Sequence, residues 1–375
     1  KITNTQKKIN LLKNSSILSL PSIVGIVLAL LAIPIHLQVN GKSDYGNYIF
    51  FHFVISFGLL LNLGINKITA IEIAKKKNVN QIIIQSLKIS FKITFFIFLI
   101  LLSIILFLDN YKFSLLIIAG LSLTIIYLNL EGILQGLKNF KLLSIANFIF
   151  YTLSLNIPSI ALLYIENIDF YELIKFSIIL KFFTIVIITI YLKKFLNNNI
   201  SRKKYNFSLK LKKYSKWYIL HFLNIQIYDL LDKYLIKIFI GPIALAIYSI
   251  PYQLAGKITI FSKSISAVLL PEISFGKETE SFNYSIKIFS FFIPLILLFI
   301  FPYLNWLLSF WLKNQYTNEI LDLTKIFLIT SWISGISHLL IVYFEGKKKI
   351  KYNTLLELYF IFPFLIILFF VSIKL

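Results

Sequence analysis

Runs of about 20 apolar residues, each long enough to cross the hydrocarbon of a bilayer as a helix, recur eleven times in this 375-residue chain. They fall at approximately 15–37, 48–70, 84–108, 113–134, 143–165, 171–192, 215–239, 244–270, 286–311, 321–343 and 353–373. The composition agrees, with 58% hydrophobic residues, 37 Phe, 21 Tyr and a mean hydropathy of +0.81. A soluble fold of this size buries only one face of each element and needs far more polar surface. The chain therefore reads as an all-α, polytopic membrane protein.

Charge sets the orientation. The formal net charge is +22, but the basic residues collect between apolar runs, where loops face anionic cytoplasmic lipid. Nucleic acid is not the partner this pattern predicts. One alternate set of loops, together with the N-terminus, holds 23 Lys and Arg, including Lys75, Lys76, Lys77, Arg202, Lys203, Lys204, Lys277 and Lys347 to Lys349. The other set holds only 4, namely Lys42, Lys112, Lys313 and Lys374, and it also carries Asp109, Glu166 and Asp169. The positive-inside rule then puts the N-terminus in the cytoplasm of a multi-pass protein of the inner, cytoplasmic membrane. The first run is too long for a cleaved signal peptide and lacks a small-residue cleavage site. With no Met at position 1, the chain is expected to lack its true start, and eleven spans lead us to expect a twelfth after Leu375.

The basic stretch 193–215 divides the chain into an N-terminal six-helix bundle, 1–200, and a C-terminal bundle, 201–375, with five spans. A shift of 200 residues matches Gly41 to Gly241, Tyr48 to Tyr248, Ile65 to Ile265, Glu72 to Glu272, Ile73 to Ile273 and Lys77 to Lys277. With six spans per half the repeats are parallel, related by an axis along the membrane normal. Two pseudo-symmetric bundles around a central cavity are expected, an arrangement that suits alternating access.

Ionisable groups inside a bilayer need water or a partner. In the seventh run His221, Asn224, Tyr228 and Asp232 recur every 3 to 4 residues on one helical face, with Asp229, Lys233 and Lys237 beside them. The eighth run adds Gln253, Lys257 and Ser264, with Pro251 as a kink and Gly256 allowing close packing. Lys181 has a similar depth in the sixth run. Lys325 enters the tenth, and Lys67, Lys88 and Lys92 lie near the cytoplasmic side of the second and third. These residues are the candidate cavity lining, in which lysines hold a phosphate-bearing cargo as point charges. Asp229 and Asp232 are candidates for coupling to H+ or Na+. The competing reading is internal ion pairing, for example of Lys257 with Asp229 or Asp232.

Chemistry is weakly represented. Cys is absent and four His are scattered without a metal-binding spacing. No nucleotide loop occurs and every outer loop is short, so neither an enzyme nor a cofactor is expected.

The segments Gly46-Asn47-Tyr48, Leu61-Asn62-Leu63-Gly64-Ile65-Asn66 and Glu72-Ile73-Ala74-Lys75 resemble the first-half signature of bacterial oligosaccharide flippases. Those are the O-antigen and capsule repeat-unit transporters of the polysaccharide biosynthesis family. Glu131-Gly132-Ile133-Leu134-Gln135-Gly136-Leu137-Lys138 is similar to that family's cytoplasmic motif, with Leu134 in place of its usual Phe. Tyr228-Asp229-Leu230-Leu231-Asp232-Lys233, Gly241, Tyr248, Lys257 and Leu270-Pro271-Glu272-Ile273-Ser274 extend the resemblance, with Glu272 at a place often basic in the family. The resemblance implies the multidrug/oligosaccharidyl-lipid/polysaccharide exporter superfamily, with twelve or fourteen helices. It also implies a polyprenyl-diphosphate-linked oligosaccharide moved from the inner to the outer leaflet, with a polysaccharide polymerase as a partner. A cation-coupled drug antiporter of the same superfamily and a structural subunit of a polysaccharide synthesis complex are the alternatives.

Overall fold

The computed structural model describes residues 4–75, 78–105, 111–165, 168–196, 207–274 and 279–374, and these are almost entirely helical. Lys77 and Lys277 of the internal match lie outside the described residues, as do Lys76, Arg202, Lys203, Lys204, Asp109 and Glu166 of the loop comparison.

Each of the eleven apolar runs becomes a helical rod. The first is α1 (Asn4–Val39), and the second is broken into α2 (Gly41–Ile55), α3 (Gly58–Leu61) and α4 (Ile65–Ala74). Next come α5 (Val79–Ile105), α6 (Tyr111–Gly136), then α7 (Phe140–Asn147) and α8 (Ser154–Ala161) joined by a π-helical stretch, Phe148–Leu153. The first half ends with α9 (Phe170–Leu196). The second half comprises α10 (Phe207–Leu235), a π-helical stretch Ile236–Ile240, α11 (Pro242–Ser274), α12 (Thr279–Ile300), α13 (Leu304–Leu312), α14 (Asn318–Gly346) and α15 (Ile350–Lys374).

Among the described residues, eight helices are long and apolar enough to cross a membrane, or nine counting the bent second rod. The eleven expected spans are therefore reduced by this measure. One reason is visible in α10, which is 29 residues long yet carries Lys210, Lys212, Lys213, Lys216, Asp229, Asp232 and Lys233. Its length suffices to cross, but its polarity requires protein or water along much of its surface.

The second rod, expected as one helix over 48–70, instead bends by 54°. Leu63 and Gly64 both adopt positive φ, at 54° and 76°, which stops α3 and restarts the chain as α4. A Cβ on Gly64 would stand 2.5 Å from Tyr218 of α10, so the break is also a point of close approach between the halves.

Two apolar clusters lie one at each end of the rods. One joins Ile65, Ile73, Leu134 and Ile188 to Leu270, Ile273, Phe289 and Leu339. The other joins Ala29, Tyr45, Tyr48 and Ile55 to Ala246, Ile250, Leu297 and Leu308. Both contain residues of the two halves. The matched glycines occupy equivalent places: Gly41 (φ +79°) opens α2 and Gly241 (φ +115°) precedes α11.

Candidate functional site

The halves meet along α2 and α4 on one side and α10, α11 and α14 on the other. At the end where α2 and α11 begin, a Cβ on Gly46 would lie 2.1 Å from the Pro242 carbonyl oxygen, so only glycine permits the two backbones to approach this closely. About three turns deeper into α11, the Gln253 Nε2 donates to the Tyr45 hydroxyl at 2.7 Å. The Trp311 indole N–H donates to the Leu30 carbonyl at 2.6 Å, tying α13 to α1.

Two lysines of α10 and its π-helical extension then reach across to first-half aromatic rings. The Lys233 ammonium is 1% exposed and lies 4.0 Å from the Tyr252 ring centroid and 5.1 Å from that of Phe53, which belongs to α2. It also donates to the Asp229 carbonyl, and pairs with Asp232 Oδ1 at 3.2 Å. The Tyr248 hydroxyl donates to the other Asp232 oxygen. Lys237, one turn on, lies 3.8 Å over the ring of Phe50. A desolvated cation on an aromatic face is held by the ring quadrupole, and here the five rings of Phe53, Tyr248, Tyr252, Phe50 and Phe113, with a carboxylate and a carbonyl, hold two cations.

The opposite end carries the basic loops and is held by ion pairs. Lys67 of α4 donates to Glu345 of α14 at 3.0 Å, and the carboxylate is almost fully buried. Glu72, also buried, accepts from Lys75 of its own half at 2.9 Å and from Lys348, in the α14–α15 turn, at 2.7 Å. Burial, with the Lys348 ammonium beside it, lowers the Lys75 amine to about 8 against the opposing pull of Glu72. The Gln135 amide donates to the Ala267 carbonyl at 3.0 Å, linking α6 to α11.

Between these two closures lies a group of charges from both halves. Lys257, half-buried in α11, has neither a hydrogen bond nor an ion pair among the described residues. Its strongest electrostatic neighbour is Lys263, exposed on the same helix. Lys263 in turn acts on Glu131 of α6, Asp229 of α10 and His338 of α14, and Lys67 acts on Glu131 and His338 as well. Lys263 and Asp229 have exposed side chains, yet Lys263 acts on Glu131 across the seam and Asp229 senses Lys263 on the neighbouring α11. Exposed groups that face one another from several helices line a recess rather than a lipid surface.

The sequence-predicted residues divide accordingly. Lys257, Lys233, Lys237, Gln253, Asp229, Asp232 and Lys67 belong to the seam or its recess. Ion pairing of Lys257 with Asp229 or Asp232 is not what the structure shows: Asp232 is taken by Lys233 and Tyr248. His221 pairs with Glu357 of α15 at 2.7 Å, and Tyr228 lies in the field of the same carboxylate. Lys181 is elsewhere. It is 3% exposed inside the first half, where its ammonium donates to the Phe150 carbonyl at 3.0 Å. Lys88 and Lys92 are exposed on α5 in one stripe with Phe91, Phe95 and Phe96, a face suited to lipid with snorkelling amines. Lys325 is exposed on α14 beside Asp322, at 3.4 Å.

Sequence reasoning missed Lys263, Glu131 as a lining group, His338, Glu345 and Glu357. Lys263 offered a signal, since it follows Lys257 by six residues within the same apolar run. Among the described residues no group of three or more His, Asp or Glu is disposed to hold a metal.

A family profile described as "Polysaccharide biosynthesis protein" matches residues 11–277. No curated protein sequence matches the chain. Solved structures share the fold. An outward-facing multidrug resistance MATE family transporter of the MOP superfamily superposes with a TM-score of 0.71 at 15% identity, covering 95% of this chain and 87% of that one. A MOP superfamily transporter from Pyrococcus furiosus, whose structure was reported as having a binding pocket of reverse polarity suggesting a different function, gives 0.70 at 15% identity, with 95% and 88% covered. A MATE protein in a straight conformation gives 0.69 at 16% identity, again with 95% and 88% covered. The all-α rods are thus arranged as in these membrane transporters.

Proposed function

Because the chain belongs to the polysaccharide biosynthesis protein family, we propose that it carries a polyprenyl-diphosphate-linked oligosaccharide from the inner to the outer leaflet of the cytoplasmic membrane by alternating access. The observation that supports this reading most is the pair Lys257 and Lys263. Two ammonium groups on α11 stand in the recess between the halves without an ion-pair partner among the described residues. A diphosphate carried into hydrocarbon loses its hydration, and fixed cations that are not already neutralised replace it. A cavity for cationic drugs would want carboxylates in those places.

With the N-terminus in the cytoplasm, the ion-paired end faces inward and the aromatic-caged end faces outward. Opening of Lys67–Glu345 and Glu72–Lys348 admits the sugar-diphosphate head to Lys257 and Lys263, while the polyprenyl tail remains in the bilayer. Closure of that end and separation of α2 from α10 and α11 releases the head outward. Asp229 is the carboxylate we assign to H+ or Na+ coupling, since Asp232 is engaged by Lys233 and Tyr248.

The test is flipping of a fluorescent lipid-linked oligosaccharide in proteoliposomes. It is paired with rescue of surface polysaccharide in a flippase-null strain, in which the inner-leaflet intermediate is quantified. Replacement of both Lys257 and Lys263 by Ala is expected to lower flipping at least tenfold, with Arg at both positions retaining much of it. Unchanged flipping by the folded, membrane-inserted double Ala variant would overturn the proposal.

A further inference from the structure

At the ion-paired end Lys67 is answered by Glu345, and Lys75 and Lys348 are answered by Glu72. One corner of that end is different. Lys216 of α10, Lys347 and Lys349 of the α14–α15 turn, and Lys351 in the first turn of α15 are all exposed. None of these four has a carboxylate at ion-pair distance among the described residues. The turn sorts its own lysines: Lys348, at φ +59°, reaches inward to Glu72 at 2.7 Å, and its two neighbours stay outside the seam.

Trp217 gathers two of these unpaired cations. The Lys216 ammonium lies 5.8 Å from the centroid of its ring and the Lys351 ammonium 5.4 Å from it. The two charges therefore stand no farther apart than those distances added. The Thr354 hydroxyl donates to the Trp217 carbonyl at 3.3 Å, which pins α15 to α10 at this level. Trp217 is itself half-buried, so part of the indole remains open beside the two ammoniums. On α15 the turns that follow expose Leu355, Leu356, Tyr359 and Phe360, a face that hydrocarbon covers. The corner thus stands where apolar surface gives way to positive charge, the level of lipid headgroups.

Ammonium groups without a protein partner at that level attract a phosphodiester, through charge and through donated hydrogen bonds. Lysine stems are long and flexible, so both heads close on one phosphate without moving the backbone. The open part of an indole offers an apolar body to the glycerol and upper acyl carbons beside it. We propose that the corner of α10 and α15 at Lys216, Trp217 and Lys351, flanked by Lys347 and Lys349, binds the headgroup of an anionic phospholipid. This site is separate from the recess between the halves, and its occupancy does not depend on what the protein carries.

The experiment uses the full chain in phosphatidylcholine nanodiscs. Replacement of Trp306, Trp311 and Trp332 by Phe leaves Trp217 as the single tryptophan, since the chain has four. Phosphatidylglycerol brominated near the top of its acyl chains should quench Trp217 about twofold more than brominated phosphatidylcholine at equal mole fraction. Added salt should shrink that difference. Lys216→Gln with Lys351→Gln should abolish it. Lys88→Gln with Lys92→Gln, which removes two exposed cations from α5, should leave it in place. Native mass spectrometry of the unmodified protein in mixed micelles should show phosphatidylglycerol retained over phosphatidylcholine, a measurement that stands even where the tryptophan replacements fail to fold. Equal quenching by the two lipids, a preference that survives in the folded Lys216 and Lys351 double variant, or one lost equally with Lys88 and Lys92 would each overturn the proposal. Equal retention of the two lipids by the unmodified protein would do the same.

Discussion

Lys67 and Glu345 meet at 3.0 Å across the seam between the halves, and the carboxylate is the buried member of the pair. That asymmetry fixes the outcome of substitution. Lys67→Ala leaves a buried carboxylate without its partner and should destabilise by roughly 2–3 kcal/mol, less than for a fully enclosed pair because Lys67 is partly exposed. Glu345→Gln, which leaves no buried charge, should cost less. The exchanged pair Lys67→Glu with Glu345→Lys should recover much of the loss. Thermal unfolding of the purified variants measures all three.

Gly46 predicts a steric effect. The oxygen 2.1 Å from its missing Cβ belongs to the Pro242 backbone, which cannot swing aside as a side chain would. Gly46→Ala should therefore push α2 from α11 and cost about 1–3 kcal/mol. In a cysteine-free chain, engineered cysteine pairs across this seam should cross-link less efficiently in the Ala variant than in its glycine parent.

The cage around Lys233 can be dissected ring by ring. Tyr252 is its nearest ring at 4.0 Å, so Tyr252→Leu should lower stability by about 1–2 kcal/mol beyond the change in packing. Lys233→Met should also remove the Asp232 pairing. A double-mutant cycle on thermal stability should show that the two substitutions are not additive.

Lys75 supplies a pH signature. Its folded value is about 8 against an ordinary 10.5, through burial first and the neighbouring Lys348 second. Between those two values the unfolded chain holds more protons at this position than the folded one. The contribution of this amine to stability is therefore present above the ordinary value and is lost as pH falls through about 8. Selective 13C-dimethylation, followed by NMR titration, should give a midpoint for Lys75 near 8.

Apolar length alone located every rod, because a helix that spans hydrocarbon leaves no other reading for 20 such residues. The breaks were hidden for a physical reason. Leu63 carries no sequence mark of a positive φ, and the π-helical turns at Phe148–Leu153 and Ile236–Ile240 contain ordinary apolar residues. The spacing of His221, Asn224, Tyr228 and Asp232 made one face of α10 the expected cavity lining; in the structure His221 pairs with Glu357 of α15, and it is Lys233 and Lys237 that reach first-half rings. Spacing could not say which way a helix is turned once packed. Lys181 and Lys257 have comparable depth, yet one is enclosed in the first half and the other stands in the recess. Glu345 and Glu357 went unread because their partners, Lys67 and His221, lie 278 and 136 residues away along the chain.

The interruption at Leu63 and Gly64 makes α4 a lever separate from α2. The ion pairs to Glu345 and Lys348 are carried below that joint, while the packing against Pro242 and the rings of Phe50 and Phe53 lies above it. An unbroken rod would transmit any displacement of one end to the other. With the joint in place, one mouth of the protein can loosen while the other keeps its grip, so the two never need stand open at once.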